Sequence, residues 1–311
     1  MADKIAVGGQ AVLEGVMMRS PRAMAVAVRK PDGSLAQLDE PWKGISDRFR
    51  FLKWPFLRGT VTLVESMMNG LQALSFSARE AFPDEDNKGE SMLSTTEMVL
   101  TIGFAFVAAM LLFVVFPHAV AYMLGERFNM PIQSIGFHMV DGAVKVSVLV
   151  LYILSISLLK EIRRVFMYHG AEHMSVHTYE AGEELTVENA RKFSRLHPRC
   201  GTAFLLLVLV VSVFLFAGIF PLFPPLSSNA IANQALYVLV KIPLVFPLAG
   251  ITYEMIKWGD RHRNNALVKV LMAPGLAMQK LTTRIPTDDQ IEVALTALKL
   301  ALARESEANV R

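Results

Sequence analysis

The sequence predicts a mainly α-helical, polytopic membrane protein with about four transmembrane helices, a small N-terminal β-hairpin element and cytoplasmic amphipathic helices. Hydrophobic residues make up 53% of the 311 residues, and the mean hydropathy is +0.38. The apolar residues are concentrated between Met98 and Ile256, and charged segments flank them on both sides. Charged residues account for only 19% of the chain, below the roughly 25% that is usual in soluble globular domains.

Four apolar segments are long enough to cross about 30 Å of hydrocarbon. The first runs from Met98 to Gly125, 28 residues without a charge, and the second, Gly142 to Leu159, is interrupted only by Lys145. The uncharged run from Gly201 to Val240 is too long for one span, and prolines, serines and an asparagine break it in the middle. It therefore belongs to two predicted helices, about Thr202 to Phe223 and about Gln234 to Ile256.

Basic residues predict the orientation of these spans. The connection between the second and third spans carries seven Lys and Arg residues, whereas the connection between the third and fourth carries none. More basic residues follow the fourth span, beginning with Lys257 and Arg261. Because positively charged connections stay on the cytoplasmic side, the sequence predicts a multi-pass protein of the cell inner membrane with both termini and the middle connection in the cytoplasm.

The predicted spans divide the chain into six parts. A turn signal, Pro31-Asp32-Gly33-Ser34, predicts the N-terminal hairpin, and Thr287 with Gln290 forms a capping box before the last helix. The parts are an N-terminal cytoplasmic β-rich element (1–48), an interfacial or re-entrant helical segment with an acidic loop at 83–90 (49–95), transmembrane helices one and two (96–160), a cytoplasmic histidine-rich loop (161–200), transmembrane helices three and four (201–257) and cytoplasmic C-terminal helices (258–311).

Composition excludes several classes of function and partner. The 31 basic and 28 acidic residues give a net charge of +3, and membrane orientation accounts for the basic residues, so no nucleic-acid partner is predicted. Cys200 is the only cysteine, so an intramolecular disulfide is excluded. Met1 to Gln10 has no apolar run, and no cleavable signal peptide is expected there.

The histidine-rich segment carries the residues best suited to chemistry. On a helix, His169 and His173 lie one turn apart on one face and can bind a single divalent metal, with zinc as the first candidate. Glu172 completes the pattern H-x-x-E-H of inverzincin metallopeptidases. In those enzymes the carboxylate is the general base and the metal activates water. The alternative interpretation of the histidine pair is an interfacial cluster without a metal.

The sequence does not decide which other residues bind this metal. His177 continues the same helix face, but it lies ~12 Å from His169 along a continuous helix, so both can bind one ion only if the helix breaks. His197, Cys200 or Glu180 can return to the site through the loop, although a packing role at the start of the third span is favoured for Cys200.

Two charged residues at the fourth span have competing interpretations. Glu254 lies at the end of that span, on the same side of the membrane as the histidine-rich segment. A glutamate at such a position is more often a solvated residue of the helix end than a metal ligand. Lys241 lies inside the span, where a charged residue usually has a functional role or an ion-pair partner. An equally good explanation is that the span ends closer to Lys241 than predicted and that its side chain reaches the membrane surface.

Several motifs resemble one known family. They are Gly8 to Arg19, His169 to Glu180, Arg195 to Thr202 and Ala273-Pro274-Gly275-Leu276. Together they resemble the YqhQ-like family of bacterial membrane proteins, a domain of unknown function classed as predicted metal-dependent enzymes, over nearly the whole chain. The resemblance draws attention to Glu14, which a metal site can use as a ligand or acid–base group; the alternative is an ordinary strand or turn residue.

The leading functional hypothesis is a metal-dependent hydrolase at the cytoplasmic membrane surface. His169 and His173 would hold the metal, Glu172 would activate water, and the site would be completed by His177, His197 or Glu14. The lipid bilayer is its partner, and a membrane-embedded or lipid-linked substrate would explain the location of the site. The alternative is a non-enzymatic assembly factor or transporter, with a structural metal or none. A desaturase-type di-iron oxygenase is discounted, because it needs more histidines than the five available on that side.

Overall fold

The computed structural model describes residues 5–83, 95–262 and 265–310. An antiparallel sheet at the N-terminal end is followed by helices. The strands are β1 (Gly8–Val12), β2 (Gly15–Arg19), β3 (Ala23–Arg29) and β4 (Leu35–Pro41). The helices are α1 (Ile45–Arg48), α2 (Leu57–Ala81), α3 (Thr95–Met110), α4 (Phe116–Arg127), α5 (Ile135–Ile156), α6 (Lys160–Ala181), α7 (Val187–Ala190), α8 (Gly201–Ile219), α9 (Ala230–Arg261), α10 (Ala266–Thr282) and α11 (Asp288–Val310). Most of the predicted acidic loop, residues 84–90, lies outside the described residues.

Four helical segments of the described chain are long and apolar enough to cross a membrane: Gly103–Arg127, Ile135–Ile156, Gly201–Leu222 and Ile231–Gly259. They confirm the prediction of about four transmembrane helices. The second begins seven residues earlier than predicted, because Ser134 caps it by accepting a hydrogen bond from the Phe137 N–H at 3.1 Å. Asp141, which the sequence prediction left outside, therefore lies within the span.

The N-terminal element is a four-stranded sheet in the order β1-β2-β3-β4. The predicted hairpin is β3–β4, and its turn is stabilised by the Ser34 N–H, which donates to Asp32 Oδ1 at 2.8 Å. The pair β1–β2 was not predicted, because these short strands flank a two-residue connection without a Pro-Gly turn signal. Alternate residues point to opposite faces: one face packs on α6 and α11 and the other on α2.

Helix α11 fastens the C-terminal end of the chain to this sheet. One of the two hydrogen bonds of its predicted capping box is present: the Thr287 N–H donates to Gln290 Oε1 at 3.0 Å, whereas the Gln290 N–H donates to the Thr287 backbone carbonyl at 3.2 Å. Near the other end, the buried Glu305 carboxylate accepts hydrogen bonds from Ser20 Oγ at 2.8 Å and from the Arg22 N–H at 2.7 Å. The first and last segments of the chain are thus joined through one buried carboxylate.

Helix α8 is the centre of the membrane bundle and contacts α5, α9 and α10. Its approach to α5 depends on Gly142, where an added Cβ would lie 2.2 Å from Val213 Cγ2. Its approach to α10 depends on Gly275, where an added Cβ would lie 2.8 Å from the Ala203 side chain. Small residues at these crossings let the backbones pack closely, as is usual for membrane helices.

Glu305→Ala tests the junction between α11 and the sheet. Ser20 Oγ and the Arg22 N–H would lose this acceptor, and Ser20 Oγ would keep only its 3.3 Å bond to the Ala23 carbonyl, so we expect a loss of about 1–3 kcal/mol of unfolding free energy. This would appear as a lower midpoint of thermal unfolding for the detergent-solubilised protein. Glu307→Ala, two residues later and exposed, is the matched control, because its pair with Arg304 is at the surface and contributes little. Equal midpoints for the two variants would contradict the prediction.

Candidate metal centre

The segment predicted as a histidine-rich loop is mostly the helix α6. Gly182 ends this helix in the left-handed conformation, with φ of 80°. The middle of the helix is buried on all sides, since every residue from Tyr168 to Val176 is buried although three of them are His or Glu. Burial of such groups is costly unless each has a partner, so their contacts decide what this helix does.

A close backbone contact brings the end of α10 onto α6. An added Cβ on Gly170 would lie 2.2 Å from the Arg284 carbonyl oxygen, so only glycine fits here. The Arg284 N–H donates to the Phe166 carbonyl at 2.8 Å. This contact places the Thr282 carbonyl beside α6, where it becomes a partner for one of the histidines.

Two backbone carbonyls orient the two central histidines. His169 Nδ1 lies 2.8 Å from the Thr282 carbonyl, and His173 Nδ1 lies 2.6 Å from the Arg195 carbonyl. A carbonyl oxygen only accepts, so each Nδ1 carries the proton and each Nε2 keeps its lone pair. Histidine ligands of metals are commonly held in this way. Burial also lowers the pKa of His173, which keeps its ring neutral.

The two oriented rings converge on a thiol. His169 Nε2 lies 3.1 Å from Cys200 Sγ, and one ligand atom from each of His169, His173 and Cys200 lies within 4.8 Å of the others. His173 Nε2 is buried without a hydrogen-bond partner among the described residues. Cys200 itself is fixed as the N-cap of α8, where Sγ accepts from the Thr202 N–H at 3.4 Å.

Glu172 faces the same point from the neighbouring position on α6. Its Oε2 lies 3.9 Å from Nε2 of both His169 and His173. Burial raises the pKa of Glu172, while His169, His197 and a hydrogen bond from the Gly9 backbone act in the opposite direction. An added Cβ on Gly9 would lie 2.8 Å from Glu172 Cγ, so strand β1 packs directly on this carboxylate.

These donors fit a divalent cation. Two imidazole nitrogens, a thiol and a carboxylate are a ligand set typical of zinc, which prefers four nitrogen, sulfur or oxygen ligands. A buried nitrogen lone pair without a partner is costly in a folded protein, and a cation at this point would satisfy it. We call the set of His169, Glu172, His173 and Cys200 the primary group.

A second set of polar residues lies further along α6. One ligand atom from each of His177, Glu180 and His197 lies within 4.8 Å of the others. His197 Nε2 is 3.4 Å from Glu180 Oε2, and Arg199 pairs with the other oxygen of Glu180. Helix α6 is continuous through Ala181. His177 therefore lies ~12 Å from His169 along the helix axis, too far to share one ion with it. We call His177, Glu180 and His197 the secondary group.

Helix α10 also holds the loop that carries His197 and Cys200. The His197 N–H donates to Gln279 Oε1 at 2.8 Å, and Gln279 Nε2 donates back to the His197 carbonyl at 2.7 Å. Arg195 Nη1 donates to the Thr283 carbonyl at 2.7 Å. Three distant segments, α6, this loop and the end of α10, therefore build the candidate centre together.

Other residues singled out by the sequence lie in ion pairs. Glu14 forms a two-point ion pair with Arg164, and its Oε2 accepts from Tyr168 Oη at 3.3 Å. Within the described chain, Glu14 belongs to neither group of ligand atoms. At the membrane end of α9, Glu254 Oε1 accepts from Arg58 Nε at 2.6 Å.

The sequence left Cys200 open as a metal ligand but favoured a packing role for it, whereas in the structure its Sγ lies 3.1 Å from His169 Nε2. The one available signal was its position three residues after His197, in His197-Pro198-Arg199-Cys200. The backbone carbonyls of Thr282 and Arg195 have no sequence signal at all, since any residue supplies a carbonyl oxygen.

Comparison with known proteins places the chain in a family. It is 34% identical over 312 residues to the uncharacterized protein YqhQ of Bacillus subtilis (strain 168), covering 97% of this chain and 93% of that protein. No solved structure matches the chain. A family model matches residues 54–304. Because this match covers most of the chain, the protein belongs to the family described as "Protein of unknown function (DUF1385)".

Proposed function

We propose that the protein is a metal-dependent hydrolase at the cytoplasmic face of the bacterial inner membrane, with zinc as the metal. The observation that supports this most is the orientation of His169 and His173. Both rings donate Nδ1–H to backbone carbonyls, and both Nε2 atoms converge with Cys200 Sγ beside the Glu172 carboxylate. His173 Nε2 is buried without a hydrogen-bond partner among the described residues, and a cation at this point would satisfy its lone pair.

The residues of the primary group have distinct roles in this proposal. A divalent cation held by His169, His173 and Cys200 would supply a Lewis acid that activates water and polarises the scissile bond. Glu172 is the general base: it accepts a proton from the attacking water and transfers it to the leaving group. The backbone N–H of Gly9 orients this carboxylate from the opposite side.

The secondary group has a supporting role. His177, Glu180 and His197 provide further cation ligands, but the Arg199 guanidinium already neutralises Glu180. A positive charge at that position opposes a second cation, so the primary group is the favoured site. For Glu14, the two-point ion pair with Arg164 favours a role in holding the β1–β2 connection against α6.

The position of the centre supports a membrane-associated substrate. Cys200, whose Sγ lies 3.1 Å from His169 Nε2, directly precedes the apolar span Gly201–Leu222, so the candidate centre lies next to the end of a membrane-spanning helix. The basic residues of the connection between the second and third spans favour the cytoplasmic side. We therefore propose a membrane-embedded or lipid-linked substrate that reaches the centre from the bilayer.

The burial of the primary group favours a second candidate function. His169, Glu172, His173 and Cys200 are each no more than 8% exposed. Four enclosed ligands are typical of a structural zinc site, whereas catalytic sites keep an open position. On this alternative the protein is a non-enzymatic membrane assembly factor or transporter, and Glu172 is the fourth ligand.

The metal content of the purified protein tests the site itself. Mass spectrometry of the wild type after reconstitution with zinc should give about one equivalent, because the primary group offers one complete ligand set. His169→Ala, His173→Ala and Cys200→Ser should each lose it, because each removes a ligand. His262→Ala is the matched control, since His262 is exposed and bonded to the Trp258 carbonyl. A wild type without metal after reconstitution with zinc, iron or manganese would overturn the proposal.

Glu172→Gln separates the two candidate functions. A catalytic base is required for turnover but not for metal retention, so the variant should keep the metal and lose about 10²-fold or more of activity. The assay uses reconstituted protein with lipid-linked ester, peptide and phosphodiester probes. Glu183→Gln, in the exposed turn after α6, is the control. If Glu172→Gln loses the metal and the wild type turns over no probe, the structural site is the better description.

Gly9→Ala tests how β1 positions the general base. The added methyl group would approach Glu172 Cγ and the Met17 carbonyl at less than 3 Å, so the carboxylate must move. We expect metal content to be unchanged and kcat to fall, because the ligands His169 and His173 are held from the other side. Gly8→Ala is the matched control, since an added Cβ there has open space around it. Equal kcat for both variants would contradict this role of Gly9.

A further inference from the structure

A second buried polar cluster lies inside the membrane-spanning helices. We call it the intramembrane cluster, and its members are His118 on α4, His138, Asp141 and Lys145 on α5, and Lys241 on α9. All five are between 1% and 8% exposed. Charged groups are unfavourable within a membrane, and where they occur they usually mark a binding site or a pathway.

The cluster lies in the half of the bundle opposite to the candidate metal centre. Helix α5 begins at Ile135 and ends at Ile156, next to the start of α6. At about 1.5 Å per residue, Asp141 lies about 9 Å and Lys145 about 15 Å from the beginning of α5. The cluster therefore extends from near the far membrane face to the middle of the spans, and it is separate from the primary group.

Two lysines share one carboxylate oxygen. Asp141 Oδ2 accepts from Lys145 Nζ at 2.7 Å and from Lys241 Nζ at 3.0 Å. Two ammonium groups and one carboxylate leave one positive charge without a counter-charge among the described residues of the cluster. An uncompensated charge in a low-dielectric region is strongly unfavourable.

The two histidines do not supply the missing negative charge. Lys241 Nζ lies 3.4 Å from His118 Nδ1, and His118 Nε2 lies 2.7 Å from Gln234 Oε1. A lysine only donates, so His118 is a neutral ring that donates through Nε2. Both ring nitrogens of His138 are buried without a partner among the described residues, and the ring stacks on Phe220 with centroids 5.2 Å apart.

We propose that the intramembrane cluster binds a small monovalent anion such as chloride, which enters from the membrane face opposite to α6. Lys145 and Lys241 supply the charge, and the His138 N–H is the additional donor. Asp141 holds the two lysines together and leaves the net charge at +1, so one anion makes the site neutral. The aromatic rings of Phe216 and Phe220, 5.7 Å and 5.9 Å from Lys241 Nζ, enclose the site.

Equilibrium binding of radiolabelled chloride to the detergent-solubilised full chain tests this proposal. Wild type should bind about one chloride per chain, and chloride should raise the midpoint of thermal unfolding relative to an equal concentration of gluconate, a much larger anion. Lys145→Met and Lys241→Met should each weaken chloride binding by at least about tenfold, because each removes a charged donor and leaves a neutral Lys–Asp pair. Lys269→Met, at an exposed position of α10, is the matched control and should bind as wild type does.

Asp141→Asn distinguishes an anion site from a structural ion-pair network. This variant raises the net charge to +2, so chloride binding should be retained or become tighter. Absence of saturable chloride binding in wild type would overturn the proposal, and so would unchanged binding in both lysine variants. If the lysine variants fail to fold, the binding stoichiometry of wild type and Asp141→Asn still decides the question. Absence of chloride binding would not affect the metal proposal, because the primary group is assayed separately by its metal content.

Discussion

The contact between Gly170 of α6 and the Arg284 carbonyl determines much of the structure. Because Gly170 has no side chain, the chain that leaves α10 lies directly on α6, where the Arg284 N–H bonds to Phe166. The same approach places the Thr282 carbonyl at the His169 ring. A few residues later α11 begins and covers one face of the sheet. One backbone contact thus orients a candidate ligand and directs the last helix to the N-terminal strands.

The two buried polar groups have opposite chemical character. In the primary group the Nδ1–H groups of His169 and His173 donate to backbone carbonyls. Their Nε2 lone pairs therefore face the same point as the Cys200 thiol and the Glu172 carboxylate, as the binding of a cation requires. In the intramembrane cluster the ammonium groups of Lys145 and Lys241 face the shared oxygen of Asp141 and leave positive charge in excess. The same physical rule, that buried charge needs a partner, therefore favours a cation at one end of the bundle and an anion at the other.

The sheet and the membrane bundle are joined by close packing as well as by chain connectivity. An added Cβ on Gly250 of α9 would lie 2.1 Å from the Phe56 carbonyl, just before α2 begins. Arg58 of α2 and Glu254 of α9 form an ion pair beside this contact. Helix α2 also packs on one face of the sheet, so it contacts both the membrane bundle and the strands. Strand β1 in turn contacts the candidate general base, Glu172.

Local features of the sequence predict the four spans, the β3–β4 hairpin, the start of α11 and the shared helix face of His169 and His173. Each of these depends on local spacing, apolar length or turn chemistry, which a short window of sequence contains. Helix packing, in contrast, brings Cys200 to His169 and Asp141 to Lys241. The two partners in each of these contacts come from segments 31 and 100 residues apart. Helix packing sets such distances, and the helical period does not encode which distant faces meet.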